Sequence, residues 1–276
     1  MSKPSVSVCL PVYNAGPYLD QCLGSIAGQT FKQFELVIVD DCSIDGSWEI
    51  IQKFAKEHSW VRTFRNKKNL GVSPTFNFAV AQARSKYIAR MDADDLMAPT
   101  RLSLQKKYLD THPDTVIVGG QCYLINSQGK KIGTKRFPLI HSEIYGMLFR
   151  TVPMQQPTIM INKSKLPKDF LFSDARFSPA EDYGLFFSAA RFGRFANLPG
   201  FTHFYREHDT NISLIHPKFT FWRITRARLD GIINHGYLPS FKSLLIVLAQ
   251  TLAILILPEK FIYPLHKRLR GMSPIS

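Results

Sequence analysis

The sequence predicts an α/β protein: a mostly parallel sheet flanked by helices, followed by a helical C-terminal appendage. Three observations lead there. A strand-loop-helix rhythm repeats through the first part of the chain, as parallel strands joined by right-handed crossovers require. The strand candidates are near-continuous apolar runs, as expected of strands covered on both faces. Two of those runs end in carboxylates, at the sheet edge where such folds place ligands. With 276 residues and 45% hydrophobic content, the chain can bury a sizeable core.

Val6 to Leu10 is β-branched enough for a first strand, and Pro11-Val12-Tyr13-Asn14-Ala15-Gly16-Pro17 breaks it. Tyr18 to Ala27 follows as a helix, with Leu19, Cys22, Leu23 and Ile26 on one face. Phe34 to Val39 reads as a second strand, closed by Asp40 and Asp41. Asp45-Gly46-Ser47 opens a helix over Trp48 to His58, Val61 to Phe64 forms a third strand, and Phe76 to Arg84 is helix-like. Tyr87 to Met91 is then a buried strand that stops abruptly at Asp92-Ala93-Asp94-Asp95.

Three acids within four residues repel one another, and holding them charged calls for a cation. One reading is a divalent metal carrying a diphosphate. The other is a solvated acidic turn ahead of the helix after Pro99, capped by Asp95 or Thr100. A dinucleotide fold would offer G-x-G-x-x-G in the first strand-to-helix turn, and Pro11 to Gly16 lacks it. Phosphate would then depend on a metal at Asp92 and Asp94, with Asp40 or Asp41 accepting hydrogen bonds from a base or ribose.

Beyond residue 115 the rhythm stops. Val116 to Ile125 is a strand, Asn126 to Lys130 turns into a hairpin partner, Ser142 to Phe149 is a helix and Thr158 to Ile161 a strand. Gly184 to Phe192 reads as a helix that sets Glu181 and Asp182 at its N-terminus, where the dipole favours acids whether or not they have a further role. Phe195 to Tyr205 is a last strand. The polar stretch Arg206 to Ser213 after it carries Arg206 and His208, which are placed to close over an anionic ligand.

The net charge is +14, and residues 214–276 hold nine Lys or Arg against two acids, half of the whole excess. There the charges interleave with apolar runs, which suits an anionic membrane surface better than nucleic acid. Leu244 to Leu257 is apolar except for Gln250 and Thr251, too short to span a bilayer. An in-plane, re-entrant or partner-packed helix remains, as does a hairpin packed on the catalytic part, with Lys267, Arg268 and Arg270 as a headgroup anchor. The four scattered cysteines suggest neither zinc nor a disulfide framework, and no apolar signal segment follows Met1.

In order and spacing these pieces resemble glycosyltransferase family 2. The likeness runs from Val6–Asn14 through Gln29-Thr30-Phe31, Phe34–Ser43, Asn69-Leu70-Gly71, Asp92–Asp95 with Pro99 and Arg101, and Glu181-Asp182, to Tyr205–His208. It implies a GT-A fold over 1–213, with a nucleotide-binding half to about 115, an acceptor half from 116, and 214–276 as the appendage. It also implies an inverting enzyme that moves a sugar from a nucleotide donor, a UDP-sugar in first place, to a glycan or polyprenyl-linked acceptor in bacterial polysaccharide assembly. Pro11, Tyr13, Asn14 and Asp41 would hold the nucleotide, with Arg206 and His208 on the donor. Asp92 and Asp94 would hold Mg²⁺ or Mn²⁺. Asp182 would be the general base, and Glu181 would stand on the acceptor side. Such an enzyme works in the cytoplasm, peripheral to the inner face of the membrane. A sugar-phosphate nucleotidyltransferase or a silent sugar-binding module are the competing classes. Two positions depart from the family pattern: Phe76 stands where many members carry a basic residue, and Ser85 where many carry glycine.

Overall fold

The structure is a computed structural model and describes residues 3–208, 217–258 and 273–274. Four parallel strands form its first half: β1 (Val6–Val12), β2 (Phe34–Asp40), β3 (Val61–Arg65) and β4 (Tyr87–Arg90), in the spatial order β4-β1-β2-β3. They are joined by α1 (Gly16–Ala27), α2 (Ser47–Glu57) and α3 (Val72–Gln82). Alternate side chains enter two different cores. Val8, Leu10, Leu36 and Ile38 pack toward α1, whereas Cys9, Val37, Val39 and Ile88 pack toward Phe76, Ala79 and Val80 of α3. Burial on both faces is why these strands read as continuous apolar runs.

The second half is mixed. β5 (Leu96–Met97) and α4 (Arg101–Thr111) precede the long β6 (Thr115–Ile125), and β7 (Lys131–Lys135) forms its hairpin partner. After α5 (His141–Leu148), β8 (Met160–Asn162) inserts antiparallel between β4 and β6. α6 (Glu181–Ala189) leads to β9 (Arg194–Arg206), which runs parallel to β6 and antiparallel to β5. Gly119 and Gly120 interrupt β6 because β9 comes so close. A Cβ there would run into the side chains of Asn197 and Thr202, and the pairing register shifts at this point.

The expected strand at Thr158 to Ile161 begins as a 3₁₀ turn over Gln156–Thr158 and pairs only from Met160. The helix expected from Gly184 starts at Glu181, so both acids lie in its first turn. β5 has no signature of its own in the sequence; two residues become a strand only because β9 lies beside them.

Helix α7 (Pro217–His235) packs on α6, with Gly231 seated on the Phe187 ring and Phe221, Ala227 and Arg228 buried. Arg228 donates to the Arg150 carbonyl and to Gln250 of α8 (Phe241–Ile256), so this basic residue serves packing. α8 turns Ser243 and Gln250 inward: Ser243 donates to the Gly146 carbonyl and Gln250 to that of Arg150. Leu244, Leu245, Leu248, Leu252, Leu255 and Ile256 face out. No described helix is long and apolar enough to cross a membrane. β10 (Ser273–Pro274) adds to the outer edge of β7. The 213/214 boundary, the loop from Asp209 to Ser213 and Lys267, Arg268 and Arg270 lie outside the described residues.

Candidate active site

The carboxyl ends of β1, β2 and β4 share one edge, and the loops that leave them are tied together. Asn14 takes a left-handed backbone at φ 49°; its N–H donates to Ser43 Oγ at 3.0 Å, and its Oδ1 accepts from the Ile44 N–H. The Ala15 amide donates to Ser47 Oγ, and the Gly16 amide to Asp45 Oδ2 at 2.9 Å. Cys42 is the second non-glycine residue held at positive φ. Strained backbone at paired loops of this edge is characteristic of a ligand site. Tyr13 leaves its ring half exposed beside them, while Pro11 stays partly buried within β1.

Asp41 is buried. Its carboxylate accepts from Asn66 Nδ2 at 2.7 Å and from the Leu70 and Gly71 amides at 2.9 and 2.8 Å. It therefore organises the 66–71 loop, and three of about four acceptor positions on a carboxylate are filled. Asp40 pairs with Arg65 at 3.0 Å.

The acid cluster divides three ways. Asp95 is buried: Oδ1 accepts the Arg206 N–H at 2.8 Å and Oδ2 faces His203 Nε2 at 2.7 Å. Arg101 Nη1 sits 3.1 Å from His203 Nδ1 and can only donate, so that nitrogen accepts and Nε2–H points at Asp95. Burial holds His203 well below its ordinary range, with the Arg101 charge adding to it, so the ring is neutral. Burial and the Asp94 and Asp92 charges push the Asp95 carboxyl up. Both of its oxygens nonetheless face donors, which keeps it an acceptor. Thr100 stands at the N-cap of α4 without a side-chain cap hydrogen bond, and Asp95 instead fastens the acid loop to β9.

Asp92 and Asp94 are the two that reach the cleft, each side chain about a third exposed. Asp92 Oδ1 lies 3.3 Å from Arg90 Nε, and Asp94 Oδ2 lies 2.9 Å from His208 Nε2. The His208 ring stacks on Tyr18 of α1. The Asp92 carboxyl is raised, first by desolvation, with the Asp94 and Glu181 charges adding and Arg90 opposing. The carboxylate oxygens are donors that suit Mg²⁺ or Mn²⁺. Among the described residues no three acidic or imidazole groups converge on one point, so phosphate and water oxygens would have to complete the shell.

Arg206 departs from its expected place over the ligand. It is fully buried; Nε donates to the Asp94 carbonyl at 2.6 Å, Nη1 to the Asn126 and Ser127 carbonyls, and Nη2 to Gln21 Oε1 at 2.9 Å. The side chain braces the acid loop against α1 and the β6–β7 turn.

Glu181 is buried and Asp182 half-buried in the first turn of α6, and the Tyr183 amide donates to Asp182 Oδ1 at 2.9 Å. The Glu181 charge adds to the rise of the Asp92 carboxyl, so acids about ninety residues apart in sequence stand near enough to interact. The sequence singles out neither Arg90 nor Asn66 for the site, and it marks the buried Arg101 only as part of the family likeness. Arg90 carried a signal, a cation inside a buried apolar strand.

A family model described as glycosyl transferase family 2 matches residues 7–170. A Haemophilus influenzae protein named only as a glycosyltransferase is 28% identical over 77% of this chain and 68% of its own length. Bacillus subtilis TuaG, assigned to teichuronic acid biosynthesis, is 34% identical over 39% of this chain and 42% of its own. The chain covers 58–68% of the length of three such relatives. Staphylococcus aureus TarS 1–349 bound to UDP superposes with a TM-score of 0.67 at 21% identity, covering 88% of this chain and 69% of the other. Pyrobaculum calidifontis mannosyltransferase PcManGT with GDP-Man and Mn²⁺ gives 0.58 at 16%, over 95% and 83%. These two likenesses are of fold.

Proposed function

The chain belongs to glycosyltransferase family 2, and from that premise we propose that it is an inverting, metal-assisted enzyme of polysaccharide assembly. It moves a sugar from a nucleotide donor, a UDP-sugar in first place, to a hydroxyl of a glycan or polyprenyl-linked acceptor. The observation that supports this reading is the approach of the Glu181–Asp182 turn to the acid loop, where the Glu181 charge acts on Asp92. Solved neighbours of the same fold bind UDP, or GDP-Man with Mn²⁺.

Each residue then has a task. The tied loops at Tyr13, Asn14 and Asp41 receive the nucleoside, and the remaining acceptor position on Asp41 is free to take a base N–H. Asp92 and Asp94, with His208 beside them, would hold Mg²⁺ or Mn²⁺, which supplies Lewis-acid stabilisation of the departing diphosphate. Asp182 takes the proton of the acceptor hydroxyl as that oxygen attacks the anomeric carbon. The new carbon–oxygen bond forms opposite the breaking bond to phosphate oxygen, the nucleoside diphosphate leaves, and the configuration inverts. Glu181, buried behind Asp182, lies on the acceptor side. Asp182→Asn should lower transfer from the preferred donor by about 10²–10⁴-fold while UDP with Mn²⁺ binds as before. Equal turnover by both proteins would remove the assigned base.

The reaction is set at the inner face of the cell membrane. Like α8, α7 also exposes large apolar residues, Phe219, Trp222, Leu229 and Ile233. A water-facing leucine row on a helix that turns Ser243 and Gln250 inward is an interaction surface. The basic side chains on these two helices, Lys218, Arg226 and Lys242, match an anionic bilayer. The full chain should sediment with phosphatidylglycerol vesicles, and Leu248→Glu with Leu252→Glu should abolish this; unchanged binding by the double variant would rule out α8 as the contact.

A further inference from the structure

Arg90 ends β4 with its side chain almost wholly inside the protein, at 3% exposure. Its guanidinium carbon lies 4.5 Å from the ring centroid of Phe76 on α3, a cation–π seat. Nε lies 3.3 Å from Asp92 Oδ1, close enough for charge attraction but out of line for a directed hydrogen bond. Among the described residues, buried Nε and Nη1 have no hydrogen-bond partner. Buried guanidinium N–H groups are normally satisfied, and leaving them open is unfavourable. Arg101 and Arg206 spend their donors on carbonyls and side chains of the protein, whereas Arg228 shares the open Nε and Nη1, so it is the place of Arg90 beside Asp92 that points to a ligand.

The side of the sheet decides what these donors await. Arg90 follows Ile88 by two residues, so it projects from the face where Phe76, Ala180 and Tyr183 form the core and α6 brings in Glu181 and Asp182. Asp94 turns the other way, to His208 and Tyr18 of α1. In a transfer of the kind set out above, the diphosphate lies with Asp94 and the acceptor hydroxyl with Asp182. The sugar being moved must lie between them, along the wall made by Arg90 and Asp92.

We propose that Arg90 is a donor-sugar recognition residue, whose Nη1, without a partner, and Nε, paired only by charge with Asp92, donate to oxygens of the transferred sugar and so set which sugar the site accepts. This rests on the glycosyl-transfer reading. The planar fork, fixed by Phe76 and by the Asp92 charge, reads the placement of hydroxyl oxygens, which a lysine at the same position cannot do.

Calorimetry with Mn²⁺ tests it, using UDP alone and a panel that includes UDP-glucose, its C4 epimer UDP-galactose, UDP-GlcNAc and GDP-Man. Arg90→Lys should weaken the best-bound nucleotide sugar about ten- to a hundredfold, as loss of charge-assisted hydrogen bonds implies, while UDP stays within about twofold. The preference of the wild type between sugars that differ at one hydroxyl should shrink in the variant, a coupling that a purely structural arginine would not produce. Arg90→Gln is read in the same way if the lysine variant does not fold. Parallel loss of UDP and nucleotide sugar, or an unchanged preference among sugars, overturns the assignment alone. If the wild type binds no member of the panel, the glycosyl-transfer reading falls and the role of Arg90 with it.

Discussion

Replacing Arg206 by methionine separates two roles that an arginine beside an acid cluster can have. The guanidinium donates to four acceptors: the carbonyls of Asp94, Asn126 and Ser127 and the side chain of Gln21. Removing one partner of a buried hydrogen bond costs about 1–3 kcal/mol for each acceptor left unsatisfied. Ser127 and Gln21 are exposed and Asn126 partly so, so water can replace the donor at these three, whereas the Asp94 carbonyl loses its donor inside the brace. Methionine keeps much of the stem's packing, and the burial of a charge is no longer needed. The net loss is about 1–3 kcal/mol, which lowers a urea midpoint by about 0.3–1 M for a slope of about 3 kcal/mol/M. Because Nε holds the backbone of Asp94 itself, Mn²⁺ affinity should fall in the same variant, measured by calorimetry below the unfolding transition. Arg206→Lys should recover part of the stability, since an ammonium can satisfy one or two of the carbonyls. A midpoint within about 0.2 M of wild type, together with lost UDP affinity, would refute this reasoning and restore Arg206 as a ligand contact.

Two further outcomes test the frame around the site. Gly231→Val places methyl groups where a Cβ already comes within 2.7 Å of the Phe187 ring, so the gain in helix propensity should be outweighed and stability should fall by about 1–3 kcal/mol; a variant as stable as wild type in urea would mean α7 is not seated on α6. Asp45 ties the first two loops, and although burial works against its charge, hydrogen bonds from Ser47 and the Gly16 amide lower its carboxyl from the ordinary value. With the folded state the stronger acid, its contribution is complete above about pH 4, the unfolded carboxylate range, and is lost as pH falls through the lower folded value. The stability gap between wild type and Asp45→Ala should therefore be widest near neutrality and close toward pH 3; a gap constant with pH would show that the staple does not depend on the carboxylate.

The parallel half was legible because strand burial on two faces writes itself as unbroken apolar runs, and because carboxylates at the ends of β2 and β4 mark the edge where the chain reverses. The second half was less so. A two-residue strand such as Leu96–Met97 exists only through its pairing with His203 and Phe204, more than a hundred positions later. The same distance in sequence hides the division of the acid cluster. Nothing local distinguishes Asp95 from Asp94, yet one meets His203 and the Arg206 amide in the interior and the other meets His208 at the cleft.

The arginines show the limit most sharply. Sequence position favoured Arg206, in a polar stretch after the last strand, as the group that reaches a ligand, and Arg90 drew no notice inside an apolar run. In three dimensions their standing is reversed. Arg206 is surrounded by carbonyls of the β6–β7 turn and the acid loop, so its charge is spent on holding Asp94 in place. Arg90 lies between an aromatic ring and a carboxylate, neither of which takes the in-line hydrogen bonds of Nε and Nη1. Whether a cation is a brace or a reader depends on how many acceptors the fold brings to it, and those acceptors come from segments that periodicity and spacing do not connect. A buried charge interrupting an apolar strand is therefore the signal to follow when a site is sought in sequence, because the fold keeps such a residue only where a partner, within the chain or bound to it, compensates its burial.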